Sequence, residues 1–282
     1  MVTSQLPDRV ACYRHADHLT GVHCTRCGRP ICPDCMQAAP VGHQCPTCVA
    51  ESSDTPAARA ARAVRTRVSP LGWRSRATPV VLALIALNTV AFVLTSAHPA
   101  WTFDYAQIPV SVAHGQPYRL LTAAFVHENF THLLFNMVSL FVMGPPVEEA
   151  IGPRRFLALY LLAALGGSVC SFLFGPTLVA GVGASGAIFG IFGAWFSLAR
   201  ANRSETGVIM LFIAILLAYS FYDTAIDWRA HVGGLVTGVV VAAAYAWAVR
   251  RPARLRIMSE AAVAVAMLGL FALLVQVRAA QL

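Results

Sequence analysis

The chain has 282 residues, 57% of them hydrophobic and only 12% charged, with a mean hydropathy of +0.62. A soluble domain carries about 25% charged residues, so a soluble globular protein is excluded. The formal net charge is +8, but every basic residue is Arg and none belongs to a dense block with interleaved aromatics, so nucleic acid is not an expected partner.

All but one of the eight cysteines fall in residues 1–77, and nearly all the long apolar runs fall in residues 78–282, so the chain has two parts. The first holds four ligand pairs at knuckle spacing: Cys12-x2-His15, Cys24-x2-Cys27, Cys32-x2-Cys35 and Cys45-x2-Cys48. Eight such ligands are what two tetrahedral zinc sites need. A redox or disulfide role and unliganded thiols are the alternatives. Metal binding is favoured because the Arg pattern described below places this segment in the reducing cytosol. A core of fewer than about 50 residues cannot hold itself together by apolar burial, so both zinc ions would be structural. His43 lies outside the x2 spacing and is a rival ligand, whereas His18 and His23 read as solvated surface residues.

The pattern resembles a B-box type zinc finger. That resemblance implies a cross-brace, with Cys12, His15, Cys32 and Cys35 on one ion and Cys24, Cys27, Cys45 and Cys48 on the other. It departs from the B-box at its end, where Cys45 and Cys48 replace the expected His ligands. The expected zinc-binding domain is 1–50, and a cytosolic protein is a candidate partner for it. Residues 51–77, rich in Ala and Arg and without apolar periodicity, read as a flexible linker.

Crossing a hydrocarbon layer of about 30 Å takes roughly 20 apolar residues. Seven stretches qualify: Pro79 to Ala97, Phe130 to Gly144, Phe156 to Gly175, Ala184 to Arg200, Gly207 to Tyr222, Ala230 to Val249 and Ile257 to Val277. Arg clusters precede the first stretch and occupy the second–third, fourth–fifth and sixth–seventh connections; only Arg119, Arg229 and Arg278 lie opposite. The positive-inside rule then places the amino terminus in the cytoplasm and the carboxyl terminus outside a multi-pass plasma membrane protein. No apolar h-region marks a cleavable signal peptide in the first 30 residues. The long first external connection carries Trp101, Phe103, Tyr105 and Tyr118, aromatics suited to the headgroup level of the outer leaflet.

Ionisable and nucleophilic side chains inside spanning helices are costly, so each is a functional candidate. His132 and Asn136 are four apart at the outer end of the second span, Ser185 stands in Gly183-Ala-Ser-Gly186 at the outer start of the fourth, and His231 opens the sixth. Spans two, four and six run in the same direction, so these groups share one depth. Gly186 with Gly190, and Gly234 with Gly238, are small-x3-small pairs that let two helices approach closely. Such an approach brings a Ser hydroxyl within reach of an imidazole: His231 would activate Ser185, while Asn136, His132 and backbone N–H groups near Ser185 would hold the oxyanion. Taken singly, each motif is more often packing or interfacial chemistry, and Glu128 and Cys170 are read in that way. Four complementary groups at one depth favour a site.

These motifs strongly resemble the rhomboid family of intramembrane serine proteases, whose marks are H-x4-H-x3-N (His127, His132, Asn136), G-x-S-G (Gly183 to Gly186) and A-H-x2-G-x3-G (Ala230 to Gly238). The resemblance covers roughly Trp101 to Val249. It implies a Ser185/His231 dyad, an oxyanion region at His132 and Asn136, His127 as a structural residue, Arg119 in the first loop and Glu148 as a buried structural acid. Phe189 stands where the family often has Tyr; it can pack on His231 but cannot donate a hydrogen bond. Asp227 is not expected in a triad, since the family uses a dyad.

The expected fold is therefore an all-α membrane protein over 78–282, a rhomboid-like six-helix bundle with a seventh transmembrane helix at its carboxyl end, joined to the small zinc domain. The expected activity is cleavage of transmembrane protein substrates in the lipid bilayer, with no cofactor for catalysis. The alternatives are an inactive rhomboid-like protein that binds or escorts membrane clients, and a zinc-finger adaptor anchored by its helices. A transporter is disfavoured because no acidic residue lies mid-membrane.

Overall fold

A computed structural model describes residues 9–39, 41–53, 78–201, 206–223 and 226–282. The chain divides into two compact units, residues 1–69 and 70–282.

The first unit is assembled from very short elements. Strand β1 (Val10–Ala11) pairs antiparallel with β2 (Leu19–Thr20), and β3 (Gln37–Ala38) with β4 (His43–Gln44). Helix α1 (Pro46–Ser53) closes the unit. It begins at a proline, whose missing N–H would be unpaired there in any case. It also extends past residue 50, where the linker was expected to begin; residues 54–77 of that linker lie outside the described residues. Six cysteines are buried, and beside them Ile31 is the one buried hydrophobic side chain among the described residues of this unit.

The second unit is helical. It opens with α2 (Pro79–Ala97), followed in the first connection by three short helices: α3 (Pro99–Tyr105), α4 (Pro109–Ala113) and α5 (Arg119–Thr122). Then come α6 (Phe130–Ile151), α7 (Pro153–Phe174), α8 (Ser185–Ala201), α9 (Gly207–Tyr222), α10 (Trp228–Ala248) and α11 (Ala253–Ala279). Five of these, α2, α6, α7, α10 and α11, are long and apolar enough to cross a membrane. The other two, α8 and α9, have 17 and 16 residues. At about 1.5 Å per residue α8 is roughly 26 Å long, short for a lipid-facing span. It is the inner helix, with every residue from Gly186 to Ala194 buried.

Two differences from the sequence reading have local causes. Helix α6 continues seven residues past Gly144, where the apolar stretch ended, through Pro145 and Pro146. Packing outweighs the proline penalty, since Gly144, Val147, Glu148 and Ile151 are all buried. The Glu148 carboxylate also accepts hydrogen bonds from the N–H groups of Val80 (3.1 Å) and Val81 (2.9 Å), and so caps the amino-terminal turn of α2. Lastly, α7, α10 and α11 begin two to four residues before their apolar runs. An apolar run marks the hydrocarbon layer, whereas backbone hydrogen bonding continues beyond it.

Helices α7, α8 and α10 meet backbone to backbone. A Cβ added to Gly234 would lie 1.9 Å from the Gly186 carbonyl oxygen, and one added to Gly238 would lie 1.9 Å from that of Gly190. Only glycine permits this approach. Helix α11 packs on the outside, with Phe271 against Gly166 and with Arg155 of α7 paired to its Glu260 at 2.8 Å.

Candidate active site

The amino-terminal end of α8 is positioned by the loop before it. Gly183 has φ +116°, a left-handed value that side chains avoid, and a Cβ there would strike His132 Nε2 at 2.6 Å. The Gly183 N–H donates to the Ala123 carbonyl (2.9 Å). Gln107 and Gly181 exchange two backbone hydrogen bonds, at 2.9 and 2.8 Å, so the first connection is stitched to the chain leading into Ser185. Arg119 anchors that connection internally. It is buried and donates to the carbonyls of Phe103 and Ala106 and to Gln116 Oε1. Trp101, Phe103, Tyr105 and Tyr118 stay exposed on this connection.

Ser185 is the first residue of α8. Phe189 lies one turn further along the same face, and the His231 ring stacks on it with centroids 4.1 Å apart and planes 17° from parallel. The contact of Gly234 with Gly186 brings the first turn of α10 beside that of α8. His231 and the Ser185 end of α8 therefore lie side by side in the bundle. No hydrogen bond joins the two side chains among the described residues, and such contacts are often long before substrate binds. The engaged ring nitrogen is Nδ1, 2.7 Å from the Ser220 hydroxyl of α9.

On the other side of Gly183 stands α6. His132 Nε2 abuts Gly183, and Asn136 Nδ2 lies 3.8 Å from where a Gly183 Cβ would be. The Asn129 side chain caps α6 by accepting from the His132 N–H (2.9 Å). Asn136 donates one amide hydrogen to the His132 carbonyl (2.9 Å), which leaves its second for another acceptor. His127 sits behind them, 1% exposed, its ring edge-on to His132 at 5.2 Å and neither nitrogen hydrogen-bonded. Burial, and then the neighbouring His132, pushes its pKa down to about 4, so it is neutral. A cavity of about 190 Å³ borders His127 and Glu128 rather than Ser185.

Asp227 is occupied elsewhere. Its carboxylate caps α10 by accepting from the Arg229 N–H (3.0 Å) and also accepts from the Ser171 hydroxyl. Sequence reasoning passed over Ser220, Ser171 and Gln107. Ser220 leaves a faint signal, a single buried serine in an otherwise apolar helix, but serines there commonly bond only their own helix backbone.

In the first unit, Cys12, His15, Cys32 and Cys35 form one group and Cys24, Cys27, Cys45 and Cys48 another, with the ligand atoms in each within 4.8 Å of one another. His43 belongs to neither. The Cys45 N–H points at Cys24 Sγ (3.2 Å) and the Cys48 N–H at Cys45 Sγ (3.4 Å). Burial opposes ionisation of Cys12 and Cys24, but hydrogen bonds from backbone N–H groups outweigh it and lower each to about 6. Burial and the adjacent sulfurs push Cys35 up to about 11 and Cys48 up to about 12. Four donor atoms at such short range have the count of a tetrahedral site, and soft sulfur, with or without an imidazole, suits zinc. Both groups could hold a metal ion.

A family model described as Rhomboid domain matches residues 114–251. The chain is 33% identical over 175 residues to YdcA of Bacillus subtilis (strain 168), which covers 59% of this chain and 88% of that protein. It is 42% identical over 139 residues to the rhomboid protease GluP of the same organism, 47% of this chain and 27% of GluP. It is 36% identical over 136 residues to RHOMBOID-like protein 5 of Arabidopsis thaliana, 45% of this chain and 43% of that one. The chain thus spans less than half the length of the latter two relatives. Given the helical bundle, the membrane-spanning helices and a match over most of YdcA, this integral membrane protein belongs to the rhomboid family of intramembrane proteases.

Proposed function

We propose that this chain is an active intramembrane serine endopeptidase that cleaves transmembrane protein substrates with Ser185 as nucleophile and His231 as general base. The observation that carries this reading is the His231 ring stacked on Phe189, one helical turn from Ser185, between two helices in backbone contact.

His231 takes the Ser185 proton as Oγ attacks the scissile carbonyl carbon. The carbonyl oxygen becomes an oxyanion, held by the free amide hydrogen of Asn136, by His132 and by N–H groups at the start of α8. The tetrahedral intermediate collapses as the C–N bond breaks, and imidazolium returns the proton to the leaving amine. Water then attacks the acyl-enzyme and gives a proton to His231. Expulsion of Ser185, reprotonated by that imidazolium, releases the carboxylic product. His127, Arg119, Glu148, Gly183, Gly186 and Gly234 position these groups without touching substrate.

The remaining parts of the proposal are organisational. Residues 1–50 form a cytosolic domain holding two structural zinc ions, residues 51–77 are a linker, and residues 78–282 are the protease domain. The amino terminus is cytoplasmic and the carboxyl terminus external in the plasma membrane, as the Arg distribution supports. The test is labelling of membranes with a fluorophosphonate probe. Adduct formation at Ser185 that disappears in His231→Ala is expected. A Ser185 that stays unlabelled while the protein still captures transmembrane clients would overturn the protease reading in favour of the client-escort alternative.

A further inference from the structure

We infer that Ser220 is a positioning residue for the catalytic base: its hydroxyl, on α9, fixes the tautomer and orientation of His231. The inference rests on the protease reading above and deepens it.

Ser220 is 2% exposed, and its oxygen has two close neighbours, the Leu216 carbonyl oxygen and His231 Nδ1, both at 2.7 Å. A hydroxyl has one proton to give. The Leu216 carbonyl can only accept, and two acceptors 2.7 Å apart with no hydrogen between them repel. The arrangement that satisfies both contacts has the Ser220 proton on Leu216 and the Nδ1 hydrogen of His231 on Ser220. That protonation leaves Nε2 as the ring nitrogen with a free lone pair, the form a general base must take. In serine proteases with a triad, a carboxylate performs this orienting task. Here the carboxylate nearest in sequence, Asp227, is engaged by Arg229 and Ser171 instead. Phe189 clamps one face of the ring but carries no donor or acceptor, so stacking holds the plane without selecting the tautomer.

The partner sits on α9, of which only Ile209, Ile213 and Ser220 are buried. Ser220 is thus the one buried polar side chain in that helix, and it is spent on the base. A neutral hydroxyl sets the tautomer without the charge that a carboxylate adds to the imidazolium, so its loss should cost less than loss of a triad aspartate.

The experiment compares Ser220→Ala and Ser220→Thr in the full chain, in detergent, against a model transmembrane substrate. Leaving the buried Nδ1 hydrogen without an acceptor should lower kcat roughly 5- to 150-fold with KM within about twofold. Threonine, which restores a hydroxyl, should recover most of that loss. Nitrogen NMR of labelled histidine in a Ser185→Ala background should show His231 with its hydrogen on Nδ1. Adding Ser220→Ala should shift it towards a mixture of tautomers, while adding Ser220→Thr should not. Unchanged kcat in Ser220→Ala, equal losses in the Ala and Thr variants, or a tautomer indifferent to residue 220 would each overturn the assignment. If the unsubstituted protein fails to cleave, the protease reading itself falls, and that result is distinct from all of these.

Discussion

Gly234→Ala is the sharpest test of how the site is built. The added methyl would sit 1.9 Å from the Gly186 carbonyl oxygen and 3.1 Å from the Gly186 Cα, where real Cβ atoms essentially never come within 3.0 Å. The obstacle is backbone, so no side-chain rotation relieves it. One helix must move by at least about 1.1 Å, the difference between 3.0 and 1.9 Å. His231 stands three residues before Gly234 on the same rigid helix and moves with it, whereas Ser185 adjoins Gly186 on the other. A misplacement of about 1 Å between reacting groups is worth on the order of 10²-fold in rate. Overpacking itself should cost about 1–3 kcal/mol of stability. The assay pairs cleavage of a model transmembrane substrate with thermal unfolding in detergent. Gly269→Ala, on α11 with nothing within 4 Å of the new methyl, serves as control and should leave both readouts near the parent values. Parent-like cleavage and unfolding in Gly234→Ala would refute the backbone contact between α8 and α10 and the site geometry derived from it.

Four further outcomes are expected. Ser185→Ala and His231→Ala should each abolish cleavage, with the double variant no worse than either, whereas Asn136→Ala should lose about 10²- to 10³-fold and leave slow cleavage detectable. Glu148→Ala should lower stability in detergent by about 1–3 kcal/mol, because the N–H groups of Val80 and Val81 lose their acceptor, and Glu148→Gln should be milder; equal Tm values for all three proteins would refute the capping role. The purified full chain should carry two zinc ions per molecule by elemental analysis, and Cys24→Ser should retain one, with cleavage in detergent unchanged. A reporter fused after Leu282 should be active only outside the cytoplasm; cytosolic activity would contradict the seven-span topology.

Much of this was legible in the residues because membranes impose simple constraints. Hydrocarbon thickness converts apolar run length into helices, and the two-residue spacing of Cys12 to Cys48 shows through any fold because a metal knuckle is local geometry. The carboxyl end of α6 was not legible past Gly144, since local propensity at Pro145 and Pro146 cannot weigh the burial of Val147 and Glu148. His132, Asn136, Ser185 and His231 could be placed at one depth from helix direction alone, and Gly234 and Gly238 marked a close crossing. By itself, then, the sequence determined which segments are apolar helices, which side chains fall near one end of the bundle, and which pairs can ligate metal, all quantities set by distance along one element. Tertiary structure alone decided that His231 stacks on Phe189, that Ser220 rather than Asp227 meets its Nδ1, and that Glu148 caps α2. Each of these depends on how one helix is rotated and translated against another, and that relation is set by the summed packing of side chains far apart in the chain, which no local pattern records.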